Sequence, residues 1–549
     1  MRDLSVYAGR WIALDEHQHI AGVGLTAEAA HRAGRRIRPK ETLWLAWVTP
    51  HPPYLALPAW PCEPLKALLQ EEHLWLVGGA VRDLLLQRPI HDWDFAVEGG
   101  ACALARRVAN ALGGAYVALD TERDTGRVVV NDPASDAPIT LDFAGLRGGD
   151  LATDLALRDF TINALALSLT GEFHDPTGGQ ADLEAGLVRT THPGAFSDDP
   201  ARLLRAVRAC GELGFRLEAD TAAALRAHRA ALRTVAAERS TAELRRIVMS
   251  APAHEPLALA AELGLLELVL PEVTALQEVE QSAPHHHRTA WEHTLTAVAA
   301  MERLLALLKG QPVPPPTQRR VQAPSWAWGT LERTLMPHQA QLVAYLETPL
   351  TVETQPAELL KWGALLHDIG KAATRTVDAA ERTHFYDHAP LGADLTHARL
   401  TALKFPNKAR NFVTQLVAAH MRLIGMTKQP PQRRTSYRFY RATGEAGVGV
   451  ILLALADALA VWGPTLPQDY WDGLLRAAEI LLTHYFTQHE EIVAPPPLLT
   501  GHDLIALGIS PGPELGRWLE RLREAQVAAE IQTRAEAQAF IEEKRRNNE

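Results

Sequence analysis

Two pairs of residues have the types and spacing that phosphate chemistry requires. Asp92 and Asp94 lie at alternate positions, and Gly78 and Gly79 precede them at the end of a short apolar run. Side chains two apart on a strand point to the same face, so both carboxylates can reach one cation. Adjacent glycines between a strand and a helix N-terminus let a phosphate approach backbone N–H groups. Together they predict nucleotidyl transfer assisted by Mg²⁺.

A third acid strengthens this prediction. Asp142 lies in the apolar, strand-like segment 139–143, where a lone carboxylate needs a partner or a metal. Three carboxylates from two strands could hold two Mg²⁺ ions, one that activates a 3′-hydroxyl and one that neutralises a triphosphate. A single Asp in such a position is usually a turn or surface residue. The run from Gly78 to Asp83 just upstream favours a catalytic site over this alternative.

The elements that must carry these residues alternate between helix and strand over residues 65–180. Residues 1–60 predict a hairpin, a helix and a strand, which would form a small accessory α+β module. From residue 181 onward the pattern is helical almost throughout, with a Pro-rich insert at 310–320. Within 65–180 the clearest patterns are a helix at 101–112 and strands at 115–119, 127–131 and 139–144.

Composition excludes several classes of protein. The 549 residues are 47% hydrophobic and 22% charged, which is ordinary for a globular chain. The net charge of −10 argues against a general nucleic-acid coat but allows a local basic face. Three cysteines without a CxxC predict neither a disulfide framework nor a cysteine zinc site. The N-terminus lacks a signal-peptide core and the best apolar run, 451–462, is too short for a bilayer, so we expect a cytoplasmic protein with no membrane partner.

A series of motifs resembles the signature of class II tRNA nucleotidyltransferases and bacterial poly(A) polymerases. The resemblance extends from about residue 70 nearly to the C-terminus, and the motifs follow one another in the family's order. They are Gly78-Gly79-x-Val81-Arg82-Asp83, Asp92-x-Asp94, Arg158-Asp159-Phe160-Thr161-Ile162-Asn163, Asp175-Pro176-Thr177-Gly178-Gly179, Asp198-Asp199-Pro200-Ala201-Arg202 and Ala237-Glu238-Arg239.

The resemblance implies a role for each matching residue. Asp92 and Asp94 would bind Mg²⁺, with Asp142 as the third catalytic acid. Asp199 and Arg202, three apart on a predicted helix, would read the Watson–Crick edge of the incoming base, although their spacing alone would suggest an ordinary salt bridge. The expected nucleotide-binding residues are Gly78, Gly79, Arg82, Arg158, Asp159, Asn163, Asp199, Arg202, Arg205 and Arg208.

The chain departs from the family pattern in three places. Asp198 stands where the family usually has Glu, and Leu157 stands where it usually has a second Arg. More importantly, Asp142 leads to Arg158 without the flexible loop of enzymes that add the full CCA. This shortening resembles enzymes that add only the two cytidines, so we predict a CC-adding enzyme that uses CTP. The alternatives are full CCA addition, which also uses ATP, poly(A) polymerase, and an RNA-binding phosphohydrolase with an inactive transferase head.

A second candidate site lies in the helical half. His367 and Asp368 are adjacent on a hydrophobic helix, which accommodates them only if a metal or a buried polar network binds them. Together with His293 and Asp457 they resemble the H…HD…D pattern of HD-superfamily phosphohydrolases. The resemblance implies a divalent metal, a metal-activated water and 2′,3′-cyclic phosphodiesterase activity. The alternative is a structural HD fold without activity.

Three further histidine positions bear on this site. The resemblance places His388 and His420 where two-metal members of the superfamily carry additional ligands. The run His285–His287 lies in a loop-like stretch, and we interpret it as solvated.

Residues 395–444 contain no Asp or Glu but ten basic residues, with aromatic residues among them. In a chain with a net charge of −10, such a segment predicts a surface for phosphate contacts. We assign it to the acceptor–TΨC arm of tRNA, which is recognised by shape and backbone. The alternative is that these residues are spread over several helix faces. They are Arg399, Lys404, Lys408, Arg410, Arg422, Lys428, Arg433, Arg434, Arg438 and Arg441.

The expected fold class is α+β. A mixed-sheet, polymerase-β-like nucleotidyltransferase head would be followed by an all-α neck, body and tail that contain an HD domain. Mg²⁺ and a divalent metal in the HD site are the expected cofactors, and tRNA, CTP and ATP are the expected partners; the sequence indicates no protein partner. The expected boundaries are 1–60 for the accessory module, 65–180 for the head, 181–275 for a nucleotide-selecting and RNA-binding neck, 276–485 for the HD domain and 486–549 for the tail.

Overall fold

The computed structural model describes residues 10–15, 19–48, 57–69, 73–90, 92–133, 137–281, 289–311, 321–352 and 354–546. The chain divides into two compact units, Met1–Val235 and Ala236–Glu549. The His285–His287 run and nearly all of the predicted Pro-rich insert lie outside the described residues.

The first unit begins with the hairpin, helix and strand that the sequence predicts. β1 (Arg10–Leu14) pairs antiparallel with both β2 (Ile20–Gly24) and β3 (Trp44–Val48), so the sheet order is β2-β1-β3. The side chain of Thr26 caps α1 (Ala27–Ile37) by accepting from the Ala29 N–H. A short helix, α2 (Ala59–Leu68), leads into the next sheet.

A seven-stranded mixed sheet forms the centre of the first unit, as predicted for the head. Its order is β10-β9-β4-β5-β8-β7-β6, and β5 and β8 are its one parallel pair. The strands of the predicted positions 115–119, 127–131 and 139–144 are all present. The bounds are β4 (Leu74–Val77), β5 (Asp92–Val97), β6 (Ala115–Asp120), β7 (Thr125–Asn131), β8 (Pro138–Gly145), β9 (Ala166–Ser168) and β10 (Phe173–His174).

The two faces of this sheet have different neighbours. On one face Phe95 and Phe143 stack with ring centroids 5.2 Å apart, because alternate residues of β5 and β8 are apolar. On the other face Leu155 packs with Val77 and Ala96. The helices of this unit are α3 (Gly79–Leu85), α4 (Ala101–Leu112), α5 (Leu151–Ala156), α6 (Gly179–Ala185), α7 (Ala195–Asp198), α8 (Arg202–Leu213) and α9 (Ala219–His228), with a short parallel pair of β11 (Leu187–Val188) and β12 (Arg216–Leu217).

The described part of the second unit is helical apart from a two-stranded hairpin of β13 (Thr376–Val377) and β14 (Thr383–His384). Its helices are α10 (Ala237–Met249), α11 (His254–Glu262), α12 (Leu266–Val269), α13 (Pro271–Thr274), α14 (Ala290–Leu308), α15 (Ser325–Leu335), α16 (Gln339–Glu347), α17 (Pro356–Leu366), α18 (Lys371–Thr374), α19 (His388–Ala402), α20 (Asn407–Ala419), α21 (Arg433–Thr443), α22 (Gly447–Trp462), α23 (Gln468–Thr487), α24 (Gly501–Ala506), α25 (Pro513–Val527) and α26 (Arg534–Arg546).

The core of the second unit is built around α22. Every residue from Gly447 to Leu459 is buried, which is what a helix that is apolar on all sides requires. The stretch Arg433–Thr465 is, by length and composition, the one candidate membrane span among the described residues, and 78% of its most apolar window is buried inside the fold. Buried core helices pass the same test.

The C-terminal helices α24, α25 and α26 share a small hydrophobic core of their own. Trp518 and Leu522 of α25 are buried against Leu504 of α24 and Ile541 of α26. Thr500 and Asp503 form a capping box at the start of α24.

Candidate active sites

The three predicted acids come together on one face of the mixed sheet. β5 and β8 pair in parallel with Asp94 directly opposite Asp142, and Asp92 lies opposite Thr140. The Thr140 hydroxyl donates to Oδ1 of Asp92 at 3.3 Å. Asp92 is exposed, whereas Asp94 and Asp142 are half-buried. Carboxylates from two strands therefore lie side by side, and the cluster opens to solvent at Asp92.

Arg127 is a member of this cluster that the sequence analysis missed. It lies on β7 opposite Asp142, and its Nε and Nη2 donate to the two oxygens of Asp142, both at 2.7 Å. Such bidentate pairs are the stronger kind of ion pair. Arg127 thus neutralises one of the three carboxylates and leaves Asp92 and Asp94 for another cation. Arg127 is the one charged residue of strand β7, and this pattern in the sequence could have indicated its role in the cluster.

The surroundings of Asp94 disfavour its charged form. Burial raises the pKa of Asp94 to about 6; the negative charges of Asp142 and Asp92 add to the rise, and Arg158 opposes it. A divalent cation would supply the positive charge that such a cluster lacks. Oxygen donors of this kind are also the ligands that Mg²⁺ prefers. The residues therefore fit the predicted metal.

Gly78 makes the turn from β4 into α3 in a conformation that favours glycine. Its φ is +72°, and a Cβ at this position would lie 3.0 Å from Nη1 of Arg158 and 3.8 Å from Oδ2 of Asp94. A side chain would fill the space between the arginine and the acid. Gly79 is the first residue of α3, where a Cβ would lie 3.4 Å from Nη2 of Arg82.

The residues predicted to hold the ribose and triphosphate form one hydrogen-bonded network. Asp159 is buried and accepts from Asn163 Nδ2 at 3.1 Å and from Arg205 Nη1 at 3.2 Å. Nη1 of Arg82 donates to Oδ1 of Asn163 at 2.8 Å, while its Nε and Nη2 bind Asp83. Burial would raise the pKa of Asp159, but Arg205 and the hydrogen bond from Asn163 lower it overall. The carboxylate is therefore ionised.

The segment between Asp142 and Arg158 is short and fully folded. It leaves β8, makes a 3-10 turn at 147–149 and forms α5. The side chain of Asp150 caps this helix by accepting from the Thr153 N–H at 2.8 Å. The described structure has no extended loop between the third acid and Arg158.

Asp154 of α5 is a buried carboxylate that the sequence analysis missed. It is 2% exposed and accepts from Nη2 of Arg158 and from Nε of Arg147, each at 2.9 Å. Two guanidinium groups on one buried carboxylate hold Arg158 in a defined position. Asp154 and Arg158 are four residues apart in a helical pattern, and this spacing could have indicated the ion pair.

The predicted base-reading pair does not lie on one helix. α7 ends at Asp198, Asp199 has an extended backbone with φ −148° and ψ 100°, and α8 begins at Arg202. Pro200 explains this, because the residue before a proline is driven out of the helical region. The expectation of an i,i+3 pair on a helix face is therefore wrong. Nη2 of Arg202 donates to the carbonyl of Leu157 at 3.0 Å.

The remaining arginines of α8 are placed differently from one another. Arg202 is 8% exposed, and burial lowers its pKa while Asp159 and Asp199 oppose the change. Arg208 lies with Nη1 3.9 Å from Oε2 of Glu212 on the same helix. The structure thus brings Arg205, through Asp159, into the same network as Arg82, and places Arg208 beside an acid of its own helix.

The second candidate site gathers ligands from five helical segments. His293 lies on α14, His367 and Asp368 follow α17, and Asp457 lies on α22; His388 begins α19 and His420 follows α20. These six residues form two groups, in each of which the candidate ligand atoms lie within 4.8 Å of one another. One group is His293, His367 and Asp457, and the other is Asp368, His388 and His420.

Asp368 lies between the two groups. Its Oδ2 is 3.2 Å from Nε2 of His367, and its Oδ1 is 3.6 Å from Nε2 of His388. In the first group, Nε2 of His293 is 3.0 Å from Oδ1 of Asp457. One carboxylate that offers an oxygen to each group is the arrangement of a two-metal site.

The imidazole rings are oriented as metal ligands. Nδ1 of His367, His388 and His420 each lies 2.7–2.9 Å from a backbone carbonyl, to which a ring nitrogen can only donate. In a neutral ring whose Nδ1 donates, Nε2 carries the lone pair, and Nε2 of His388 and Nε2 of His420 face each other at 3.2 Å. A metal ion or one shared proton would relieve the repulsion between two such lone pairs, so the residues fit a metal.

The two buried rings differ in charge. Burial would lower the pKa of His367, but the carboxylates of Asp368 and Asp457 raise it to about 10, and a bound metal would take the place of that positive charge. Burial lowers the pKa of His420 to about 4, so its ring is neutral at pH 7. The amino group of Lys371 lies 2.6 Å from Oδ2 of Asp368 and 3.0 Å from Oε1 of Gln281. A Cβ on Gly370 would lie 2.1 Å from the carbonyl oxygen of His388, so glycine is what allows α19 to approach the His367–Asp368 turn.

The basic segment 395–444 is not one free surface. The arginines of α21 pair with acids of the C-terminal part: Nη2 of Arg438 lies 2.6 Å from Oε2 of Glu524, and Nη2 of Arg434 lies 3.0 Å from Oε1 of Glu530. Arg399 forms a bidentate pair with Glu272. The described fold therefore gives these three arginines acidic partners, and their contact with phosphate stays a prediction. The exposed residues without an ion pair among the described residues are Lys404, Lys408, Arg422 and Lys428.

Comparisons with known proteins agree with this geometry. Residues 74–189 match the model of the poly A polymerase head domain, and residues 214–277 match the probable RNA and SrmB-binding site of polymerase A. Residues 340–462 match the HD domain. The matched ranges contain all of the acidic cluster and all of the second site except His293.

Two curated proteins align along most of their length. An A-adding tRNA nucleotidyltransferase of Deinococcus radiodurans is 33% identical over 475 residues, which cover 85% of this chain and 94% of that protein. A CC-adding tRNA nucleotidyltransferase of Thermus thermophilus is 33% identical over 472 residues, which cover 85% of this chain and 92% of that protein. A solved CCA-adding enzyme in complex with ATP shares the fold, with a TM-score of 0.55 and 20% identity, covering 87% of this chain and 94% of that one.

Proposed function

The chain belongs to the tRNA nucleotidyltransferase family, and on this premise we propose that it adds the two cytidines of the 3′-CCA end to tRNA, using CTP and no template. The short folded segment between Asp142 and Arg158 carries the proposal, since family members that add the full CCA have a flexible loop there. Relatives from Thermus thermophilus and Geobacter sulfurreducens are named CC-adding enzymes.

The residues of the head would have separate roles in CMP transfer. Asp92 and Asp94 would hold Mg²⁺, with Asp142 as the third catalytic acid, and the ion would stabilise the charge of the triphosphate and acidify the 3′-hydroxyl. Arg158, held by Asp154, points its free guanidinium nitrogen towards Gly78 and would donate to the triphosphate.

The nucleoside end of CTP would meet the rest of the network. Asp159 and Asn163 would bind the ribose. Asp199 would accept from the exocyclic amino group of cytosine, and Arg202 would donate to its ring nitrogen or carbonyl. Because Asp199 is extended and Arg202 is buried against Leu157, their geometry is set by the turn at Pro200.

A tail-addition assay tests this proposal. A tRNA that ends before the CCA is incubated with CTP alone, ATP alone, or both, and the products are separated at single-nucleotide resolution. We expect two cytidines to be added in both reactions that contain CTP, and no adenosine to follow. Efficient addition of the terminal adenosine would contradict CC specificity. The double variant Asp92→Ala/Asp94→Ala should add no nucleotide to tRNA in any of these reactions.

The second candidate is addition of adenosine, because the Deinococcus radiodurans relative is named an A-adding enzyme and is as similar to this chain as the CC-adding one. A tRNA that already ends in CC discriminates between the two. A CC-adding enzyme leaves it unchanged with ATP, whereas an A-adding enzyme extends it by one nucleotide.

For the HD centre we propose a metal-dependent phosphohydrolase that cleaves 2′,3′-cyclic phosphates. Two divalent metals held by the groups around Asp368 would supply a nucleophile at neutral pH. Replacement of His367 and Asp368 by Ala should abolish hydrolysis while CMP transfer persists, because these residues belong to a different unit from the acidic cluster. Hydrolysis that survives this replacement would exclude the HD centre.

Three further assignments follow from the same premise. We propose that Lys404, Lys408, Arg422 and Lys428 contact the acceptor–TΨC arm of tRNA, because they are exposed cations left without an acid in the described structure.

We propose a cytoplasmic location. We also propose the domain boundaries expected from the sequence, with residues 181–275 as the nucleotide-selecting neck.

A further inference from the structure

An aromatic pair of a half-buried histidine and an exposed tyrosine lies beside the HD centre. Tyr386 is 70% exposed, which is unusual for a large aromatic side chain. Its ring stacks on that of His384, with centroids 5.2 Å apart and planes 10° from parallel. One face of a two-ring stack is therefore presented to solvent.

The hairpin that carries this pair is held in place by Asp378. Its carboxylate accepts from Nε2 of His384, from Nε of Arg382 and from the backbone N–H of Arg382, all within 3.0 Å. These hydrogen bonds, that of His384 first, hold the pKa of Asp378 well below its usual range. The His384 ring is thus held at its Nε2 edge, and the stack is a preformed surface.

The pair is attached directly to a candidate metal ligand. The carbonyl of Phe385, which precedes Tyr386, accepts from Nδ1 of His388 at 2.8 Å. Asp387 has φ +60° and turns the chain from the hairpin into α19, whose first residue is His388. The Phe385 ring lies under the amino group of Lys371, 5.4 Å from its centroid. An aromatic surface, a cation and the ligand cluster therefore adjoin one another.

We propose that the stacked rings of His384 and Tyr386 form a platform that receives the nucleobase of the substrate of the HD centre. Every base has a π-face, so stacking binds bases without reading their identity. Lys371 would balance the negative charge of the phosphate near Asp368. The substrates are then nucleotides or RNA 3′ ends, and phosphate esters without a base are poor substrates. The proposal rests on the phosphohydrolase function proposed above.

The test compares two substrates that differ only in the base. These are adenosine 2′,3′-cyclic phosphate and the methyl riboside 2,3-cyclic phosphate, which has no base. We expect KM for the adenosine substrate to rise about tenfold in Tyr386→Ala with little change in kcat, and KM for the base-free substrate to stay the same. Tyr386→Phe keeps the ring and should behave as the wild type. Trp326→Ala removes an exposed aromatic of α15, which supplies no candidate ligand, and serves as the matched control.

Separate outcomes identify which proposal fails. If Tyr386→Ala hydrolyses both substrates as the wild type does, the platform is wrong and the phosphohydrolase stands. If the wild type hydrolyses neither substrate, the phosphohydrolase is wrong, and binding of the intact cyclic nucleotide is then measured by calorimetry. Weaker binding to Tyr386→Ala than to Trp326→Ala would still support the platform, and equal binding would exclude it. A short RNA that ends in a 2′,3′-cyclic phosphate distinguishes RNA ends from mononucleotides.

Discussion

Proton competition at Asp94 should control Mg²⁺ binding to the head. Metal binding requires the ionised carboxylate, and burial raises the pKa of Asp94 to about 6. As the pH falls through this value, the proton displaces the metal. The apparent dissociation constant for Mg²⁺ should therefore be about twofold higher at pH 6 and about tenfold higher at pH 5 than at pH 8.

Calorimetric titration of Mg²⁺ between pH 5 and pH 8 measures this change. The His367→Ala/Asp368→Ala background removes one candidate HD ligand from each group and so weakens metal binding there, which leaves the acidic cluster of the head as the main source of the signal. Asp94→Asn should bind Mg²⁺ weakly at every pH. Arg127→Ala should move the midpoint to higher pH, because Arg127 lowers the pKa of Asp94.

Two results would refute this reasoning. A midpoint near pH 4, the ordinary value for an aspartate, would mean that the protein does not raise the pKa of Asp94. A midpoint that moves to lower pH in Arg127→Ala would mean that Arg127 acts on the cluster by some means other than its charge.

Three other predictions follow from the contacts. In EDTA at pH 7, Asp94→Asn should raise the free energy of unfolding by up to about 3 kcal/mol. The gain should vanish as the pH falls below 4, where the wild-type carboxyl is protonated in both states; denaturant unfolding at the two pH values checks this. Asp154→Asn should lower kcat/KM for CTP by roughly 10²-fold with the fold intact by circular dichroism, because Arg158 loses its charged anchor. Lys404→Ala/Lys408→Ala should weaken tRNA binding and reduce its salt dependence, whereas Arg438→Ala, whose partner is Glu524, should change neither in filter-binding assays.

Local pattern was sufficient for most secondary structure of the head. The helix at 101–112 and the strands around 127–131 and 139–144 are present because hydrophobic periodicity and glycine turns act over a few residues. The same kind of reasoning failed at Asp199. Its helical spacing to Arg202 is interrupted by Pro200, which forces the preceding residue into an extended conformation.

Arg127 and Asp154 show where sequence reasoning lacked the necessary information. Each is a charged residue whose partner is identified only by folding: Arg127 meets Asp142 through strand register, and Asp154 is shared by Arg147 and Arg158 at the end of α5. In the basic segment 395–444, folding instead supplies acidic partners to residues that the sequence analysis treated as free cations. Its charge excess was real, but the acids that neutralise α21 come from residues 491–530.

The sequence by itself determined the chemistry of this protein, because its carboxylates, glycines, histidines and arginines occur in short motifs with a characteristic order. Tertiary structure decided which of those charges remain available. Among the described residues Asp142 forms an ion pair and Asp94 forms none, and His293 meets Asp457, which lies 164 positions later in the sequence, a distance in the chain that only folding closes. The physical reason is that electrostatic interactions depend on separation in space and on burial, and both are set by packing between segments remote in the chain.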